Sequence, residues 1–135
     1  MREYLFKAKR VFNGTLGSSK WFESHHLGNV RLSSATVGGY QCYTESLGQY
    51  TEFLDEGSKK IFRGDILEWI DTRENYEERD CTGVVEWNRN IGLWEVRNDK
   101  RHIYDFLCHV HDHSIVIGTY FDNPELLEEV KNETE

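Results

Sequence analysis

The stretch QYTEFLDEGSKKIFRGDILEW, residues 49–69, contains two turn signals and the most clearly defined strand of the chain. The first signal is the cluster 55–58, in which Gly57 can take the positive φ of a tight reversal. The second is Gly64-Asp65, where glycine permits the turn and the Asp65 carboxylate can accept a hydrogen bond from a turn amide. Residues 66–70 are β-branched or aromatic at most positions and lack proline, which predicts a strand.

Asp65 has two interpretations, a catalytic carboxylate and a turn cap. No acid, base or nucleophile lies beside it in the sequence, so nothing there completes a catalytic group. We therefore favour the turn cap.

Three blocks of the sequence carry a family resemblance. The first comprises residues 49–51, the turn at 55–57 and the run 61–66 (IFRGDI); the second is MRE at 1–3 with FKA at 6–8; the third is VIGTYFDNPELL at 116–127. Taken in their order along the chain, 1–8, 49–66 and 116–127, these blocks resemble the YopX-like family of phage and prophage proteins. Lys9-Arg10 stand where that family often has Trp-Asp, and Glu52 stands where a glycine is common. The resemblance implies a mainly β fold with an SH3-like barrel core and implies no established activity.

The composition indicates a globular domain. The chain has 135 residues, 38% of them hydrophobic, and this length predicts one domain with a substantial hydrophobic core. The formal net charge of −8 disfavours nonspecific binding to phosphate backbones. The three cysteines, Cys42, Cys81 and Cys108, are odd in number and lack CxxC spacing, which predicts reduced, buried thiols. No signal peptide or membrane span is recognised, so we predict a cytoplasmic protein without a membrane partner.

Alternating apolar residues predict a strand near residues 4–9, and Asn13-Gly14 is a hairpin turn signal. Short strands are predicted around 21–22, 30–32 and 40–43, and 71–80 is predicted to be a solvated charged loop. A hairpin joins 82–87 to 92–96. Strand phase places an aliphatic residue and a tryptophan on one face of each of three strands, so at least three of the four tryptophans are predicted to be core: Leu67 with Trp69, Val85 with Trp87, and Val96 with Trp94.

These patterns predict a mainly β fold with a small barrel core, and the resemblance implies that this core is an SH3-like barrel. We expect one domain over 1–135, with an N-terminal β extension at 1–45 and the barrel core plus a short C-terminal helix at 46–131. Asn123 can cap that helix, with Pro124 at its first position.

The histidine cluster is the one metal-site candidate. In a strand, His109, His111 and His113 would share one face, and alternating imidazoles bind zinc or iron. A metal site normally also recruits a ligand and a second shell from elsewhere. We favour surface or edge histidines, and a structural role for the neighbouring Cys108 over an activated thiolate.

The function that we predict is non-catalytic and needs no cofactor: an accessory protein of a phage or prophage that binds a host or phage protein or a second copy of itself. Metal binding through the histidines is one alternative. A nucleic-acid-binding barrel is the other, and it requires six basic residues to converge on one face: Lys59, Lys60, Arg63, Arg97, Lys100 and Arg101.

Overall fold

The computed structural model describes residues 3–11, 20–72 and 78–128, and their regular structure is mainly β-strand. The chain divides into two compact units, Met1–Glu52 and Phe53–Glu135. The division falls within one long strand, Gly48–Leu54, and so lies beyond residue 45, where the sequence suggested a subdivision. The mainly β prediction is confirmed, and the assignment of the whole chain to a single domain stays a prediction.

The first unit contains two antiparallel sheets. Its strands are β1 Phe6–Lys9, β2 Trp21–Ser24, β3 Leu27–Val30, β4 Ser34–Val37, β5 Tyr40–Tyr43 and the start of β6 Gly48–Leu54. β1 pairs with β2 and with the start of β6, and the other sheet has the order β3-β4-β5. Gly38 and Gly39, at φ 59° and 84°, form the two-residue turn between β4 and β5. A 3-10 helix, Thr44–Ser46, follows β5.

Strand β4 was not predicted, and Asn13-Gly14 lies outside the described residues. The core of the first unit is small because its strands are short: Ala8, Val37 and Cys42 are buried together, with Phe6, Phe22 and Leu47 packed on them.

Glu52 adopts a left-handed backbone, with φ 73°. Glycine reaches this conformation without steric cost, whereas a side chain there is strained. This backbone conformation is a physical reason why glycine would be favoured at position 52. The Oε2 atom of the Glu52 side chain accepts a hydrogen bond from the Glu3 amide at 2.8 Å.

The second unit is built on a five-stranded antiparallel sheet of order β11-β10-β9-β8-β12. The strands of this sheet are β8 Asp65–Asp71, β9 Arg79–Asn88, β10 Leu93–Asn98, β11 Ile103–Phe106 and β12 Ile115–Thr119, and the unit also contains the short strand β7 Lys60–Phe62. The helical segments are α1 Leu107–Val110 and three 3-10 helices: Asp99–Arg101, His111–His113 and Pro124–Leu127. The predicted hairpin is thus β9–β10. The predicted loop at 71–80 is wrong at both ends, because Asp71 is the last residue of β8 and pairs with Arg79, and Arg79 and Asp80 begin β9. Residues 73–77 lie outside the described part.

Each of the two turns within residues 49–69 is organised by a buried carboxylate. Asp55 Oδ1 accepts hydrogen bonds from the amides of Gly57, at 2.8 Å, and Lys59, at 2.9 Å. The positive φ of this turn belongs to Ser58, at 68°, so the prediction that Gly57 provides it is wrong. At the second turn Gly64 has φ 91°, and the Phe62 amide donates to Asp65 Oδ2 at 2.8 Å. The turn-cap interpretation of Asp65 is confirmed.

Asp55 also connects its turn to the edge strand β12. Its second carboxylate oxygen, Oδ2, accepts a hydrogen bond from the Val116 amide at 3.0 Å, and the Glu56 amide donates to the Ser114 carbonyl at 2.8 Å. One side chain therefore satisfies donors from segments 61 residues apart in the sequence.

The core of the second unit lies on one face of the sheet. It comprises Ile61, Leu67, Trp69, Cys81, Val85, Val96, Ile103, Leu107 and Val110, with Phe53, Trp94 and Val116 packed against it. The prediction that at least three tryptophans are core is wrong. Trp69 is 3% exposed and Trp94 is partly buried, but Trp87 is 44% exposed, because it lies near the hairpin end of β9, beyond the buried stretch of that strand.

The predicted C-terminal helix is present as the 3-10 helix Pro124–Leu127, with Pro124 at its start and Leu127 buried. Asn123 precedes it but does not cap it through its side chain. The Asn123 Oδ1 atom instead accepts a hydrogen bond from the Thr119 amide at 3.3 Å, which joins the helix to the end of β12.

Candidate functional site

A groove of about 520 Å³ lies on the surface of the second unit. Its polar residues come mainly from β9, β10 and the 3-10 helix Asp99–Arg101, and Tyr120 and the C-terminal 3-10 helix complete it. This volume is within the range of about 300–1,000 Å³ that is typical of ligand sites. The apolar part of the lining is Val84, Trp87, Tyr120, Pro124 and Leu127.

Strand alternation explains why charged residues gather here. Val96 of β10 is buried in the core, so its neighbours Glu95 and Arg97 project from the opposite face of the sheet. On the paired strand β9, Glu86 lies opposite Glu95 and Val84 lies opposite Arg97. The pairing of β9 with β10 therefore creates a charged strip outside the core.

Glu95 is the buried member of this strip, with 3% of its surface exposed. Its carboxylate accepts hydrogen bonds from Asn88 Nδ2 at 3.0 Å and from Arg97 Nη1 at 3.3 Å. A hydrogen bond to Glu95 also raises the pKa of the Tyr104 hydroxyl. These donors compensate the burial of a carboxylate that would otherwise be costly.

Arg97 is shared between two carboxylates. Its Nη2 lies 2.9 Å from Asp99 Oδ2, while its Nη1 contacts Glu95. The hydrogen bond with Asp99, and then that with Glu95, raises the pKa of Arg97, and the same bond with Arg97 lowers the pKa of Asp99. Two acidic groups therefore share one cation, which leaves this trio with a formal charge of −1.

Other basic residues near the groove are also paired with acids. Lys100 Nζ lies 3.0 Å from Glu128 Oε2, and Arg63 Nε lies 3.2 Å from Glu86 Oε1. Three of the six residues that a nucleic-acid interface would need, Arg63, Arg97 and Lys100, thus lie beside carboxylates, which would repel a phosphate backbone.

Asn98 lines the groove and is 2% exposed. Its Nδ2 donates to the Leu127 carbonyl at 2.8 Å and lies 3.2 Å from Thr82 Oγ1. Its Oδ1 is buried and has no hydrogen-bond partner within the described ranges. Such acceptors are uncommon in native proteins, so this oxygen is a place where a bound donor would be stabilised.

Two aromatic residues of the lining are exposed, Trp87 at 44% and Tyr120 at 54%. Trp87 packs edge-on against Trp94, with ring centroids 5.1 Å apart. This contact holds the Trp87 ring in place, so the groove combines a positioned aromatic surface with excess negative charge.

The candidate metal ligands do not lie in a strand. His109 belongs to α1, and His111 and His113 to the following 3-10 helix, so the face-sharing argument based on strand alternation fails. Each Nδ1 contacts its own acceptor: Asp105 Oδ1 at 3.1 Å for His109, the Leu54 carbonyl at 2.8 Å for His111, and Asp112 Oδ1 at 3.0 Å for His113.

His109 and His113 also line a second, smaller cavity of about 260 Å³, together with Trp69 and Asp71. Over residues 3–11, 20–72 and 78–128, no group of three or more His, Cys, Asp or Glu side chains is placed to hold a metal ion. Metal binding by the histidines therefore stays an alternative hypothesis, without the shared strand face on which it was based.

The cysteines differ in exposure. Cys42 and Cys81 are buried, as predicted, and burial raises the pKa of the Cys42 thiol. Cys108 is exposed, so the prediction of a buried thiol is wrong there: α1 buries Leu107 and Val110 and turns the two residues between them, Cys108 and His109, outward.

The sequence interpretation did not identify the groove. The available signal was the alternation Glu95-x-Arg97-x-Asp99, which places two charges on the face of β10 opposite Val96 and a third directly after the strand. The contribution of Tyr120 and Pro124 had no local signal, because the fold brings them beside the hairpin from the far end of the chain.

The fold and the groove define a mainly β protein of antiparallel sheets that carries a surface groove of mixed aromatic and acidic character. The family model described as YopX protein matches residues 5–128. The chain therefore belongs to the YopX family. Comparisons with curated proteins and with solved structures find no match. Among the described residues, no helix is both long enough and apolar enough to cross a membrane.

Proposed function

We propose that this chain is a non-catalytic protein-binding module of a phage or prophage, acting in the cytoplasm through an SH3-like barrel core. The observation that carries the proposal is the groove formed by β9, β10, Tyr120 and the C-terminal 3-10 helix. Its exposed aromatic residues supply contact area at low entropic cost, and its ion pairs supply polar contacts around them. The phage or prophage origin is supported by membership of the YopX family.

The edge strand β12 does not favour strand addition as the binding mode. The amides of Val116 and Thr119 already donate to the Asp55 and Asn123 side chains, and the register shifts between Val116 and Gly118. Edges occupied in this way resist pairing with another chain. Binding by side chains in the groove is therefore the better-supported mode.

A pull-down with matched variants tests the proposal. Wild-type protein, Tyr120→Ser and Ile115→Ser are used as baits in lysate of phage-infected host, with half of each sample treated with nuclease. Tyr120 lines the groove, whereas Ile115 is comparably exposed on β12 outside it. We expect a nuclease-resistant partner whose recovery falls with Tyr120→Ser and is unchanged with Ile115→Ser. Partners that all disappear after nuclease treatment would contradict the proposal and favour the nucleic-acid alternative.

Self-association is a second form of the proposal, favoured by a different surface. Strands β3–β5 of the first unit and the turn beside them expose four large apolar side chains: Leu27, Val30, Leu32 and Tyr40. Leu32 is 98% exposed. Sedimentation equilibrium checks this: a dimer that dissociates in Leu32→Ser supports self-association, and a monomer at all concentrations excludes it.

A further inference from the structure

We infer that the groove is a receptor for an arginine side chain presented by an extended, apolar-flanked segment of a partner protein. The inference rests on the proposed function and specifies the chemistry of the partner. It stands on three observations of the groove: its charge, an unsatisfied buried acceptor and its exposed aromatic rings.

The charge of the lining favours a cation. The groove is lined by four carboxylates, Glu86, Glu95, Asp99 and Glu128, and by two basic side chains, Arg97 and Lys100. Arg63 pairs with Glu86 from outside the lining, so one negative charge is left uncompensated, that of the Glu95–Arg97–Asp99 trio. Arg97 contacts Glu95 and Asp99 at the same time, so these two carboxylates share a single positive charge. A cation from the partner can therefore interact with them without displacing Arg97. A second cation beside Arg97 would complete the compensation of these two acids.

The buried acceptor favours a hydrogen-bond donor. Asn98 Oδ1 is buried with no partner among the described residues, although the Nδ2 of the same amide is satisfied by Leu127 and Thr82. The orientation of the amide is fixed by the Leu127 carbonyl, which can only accept. Any group that reached Oδ1 from the groove would therefore have to be a donor, and a cationic N–H group meets this need and the charge requirement together.

The aromatic rings favour arginine over lysine. A guanidinium group is planar, offers five donors and stacks on aromatic faces, whereas an ammonium group is a compact and strongly hydrated charge. Trp87 and Tyr120 are the exposed aromatic residues of the lining, and Pro124 and Leu127 add apolar surface for flanking side chains. A segment with an arginine between apolar residues would match all three parts of the groove.

The test is an NMR titration of the full-length, ¹⁵N-labelled protein with the blocked heptapeptide Ser-Gly-Leu-Arg-Leu-Gly-Ser. Matched peptides carry citrulline, which has nearly the same shape without the charge, or glutamate in place of arginine. We expect the arginine peptide to shift amides at 84–88, 94–99 and 120, together with the Asn98 side-chain amide signal. The other two peptides should leave these signals unchanged.

Exposed residues provide variants that leave the fold intact. Asp99→Asn removes one carboxylate of the trio and should weaken binding roughly 2–5-fold. Tyr120→Ser removes one aromatic contact and should weaken it by a similar factor, roughly 2–5-fold. Ile115→Ser lies outside the groove and should bind as the wild type does.

Several results would overturn the inference. Equal binding of the citrulline peptide would show that the positive charge is not recognised. Amide shifts confined to other surfaces would show that the peptide does not bind in the groove. Absence of binding at millimolar arginine peptide would reject the ligand, and displacement of the peptide by equimolar spermidine would assign the groove to polyamines instead. If the pull-down yields a groove-dependent partner but the arginine peptide fails, only this inference falls. If the peptide binds but no protein partner is captured, the proposed function falls.

Discussion

Replacing Asp55 with alanine should destabilise the second unit strongly, because this side chain connects the turn at 55–59 to β12. The Val116 amide is part-buried, and losing its acceptor should cost about 2 kcal/mol. The amides of Gly57 and Lys59 lie in an exposed turn where water can replace the carboxylate, so they should cost about 0.5–1 kcal/mol each. The total is about 3–4 kcal/mol, a large part of the roughly 5–15 kcal/mol that stabilises a typical protein.

Urea denaturation followed by tryptophan fluorescence measures this loss, and hydrogen exchange locates it. For a chain of this size the change corresponds to a decrease in Tm of roughly 10–15 °C. Exchange at Val116, Gly57 and Lys59 should accelerate first in the variant. Glu56→Ala is the matched control, since its side chain is exposed in the same turn and its amide contact with Ser114 remains. If Asp55→Ala is no more destabilising than Glu56→Ala, the reasoning is wrong.

Three further predictions concern individual residues. Trp69→Ala should reduce the free energy of unfolding by about 3–5 kcal/mol. Trp87→Ala should reduce it by only about 0.5–1.5 kcal/mol, because it loses an aromatic pair. Comparable urea midpoints for the two variants would contradict this contrast. A thiol reagent should label one cysteine, Cys108, in native protein and all three after denaturation, as counted by mass spectrometry; rapid native labelling of three would refute the burial. Glu52→Gly should raise the free energy of unfolding by about 1 kcal/mol by relieving the left-handed backbone, and a loss in thermal denaturation would show that the contact with Glu3 matters more.

The sequence predicted those features that depend on neighbouring residues. Gly64 and Asp65 form their turn through contacts within three residues, and the hairpin β9–β10 follows from two apolar runs around a polar turn. Local rules select a turn but not which of its residues takes the unusual dihedral, which is why Ser58 rather than Gly57 has the positive φ.

Features that depend on distant contacts could not be predicted in this way. Trp87 has the strand phase of a core residue, but the core ends before its position, and strand phase does not give the length of the buried stretch. The segment 107–113 is helical because Leu107 and Val110 pack into the core of the second unit, and an alternation of histidines contains no information about that contact. The groove itself joins the β9–β10 hairpin to residues 120–128.

The most direct test of the binding function is photo-crosslinking in phage-infected cells. Benzoylphenylalanine is placed at position 120, in the groove, and in a separate protein at position 115, which is exposed on β12 outside the lining. We expect one discrete protein adduct from position 120 that is absent from position 115, with an arginine between apolar residues at the crosslinked segment. Equal adducts from both positions, or none from position 120, would contradict the assignment of the groove as the binding site.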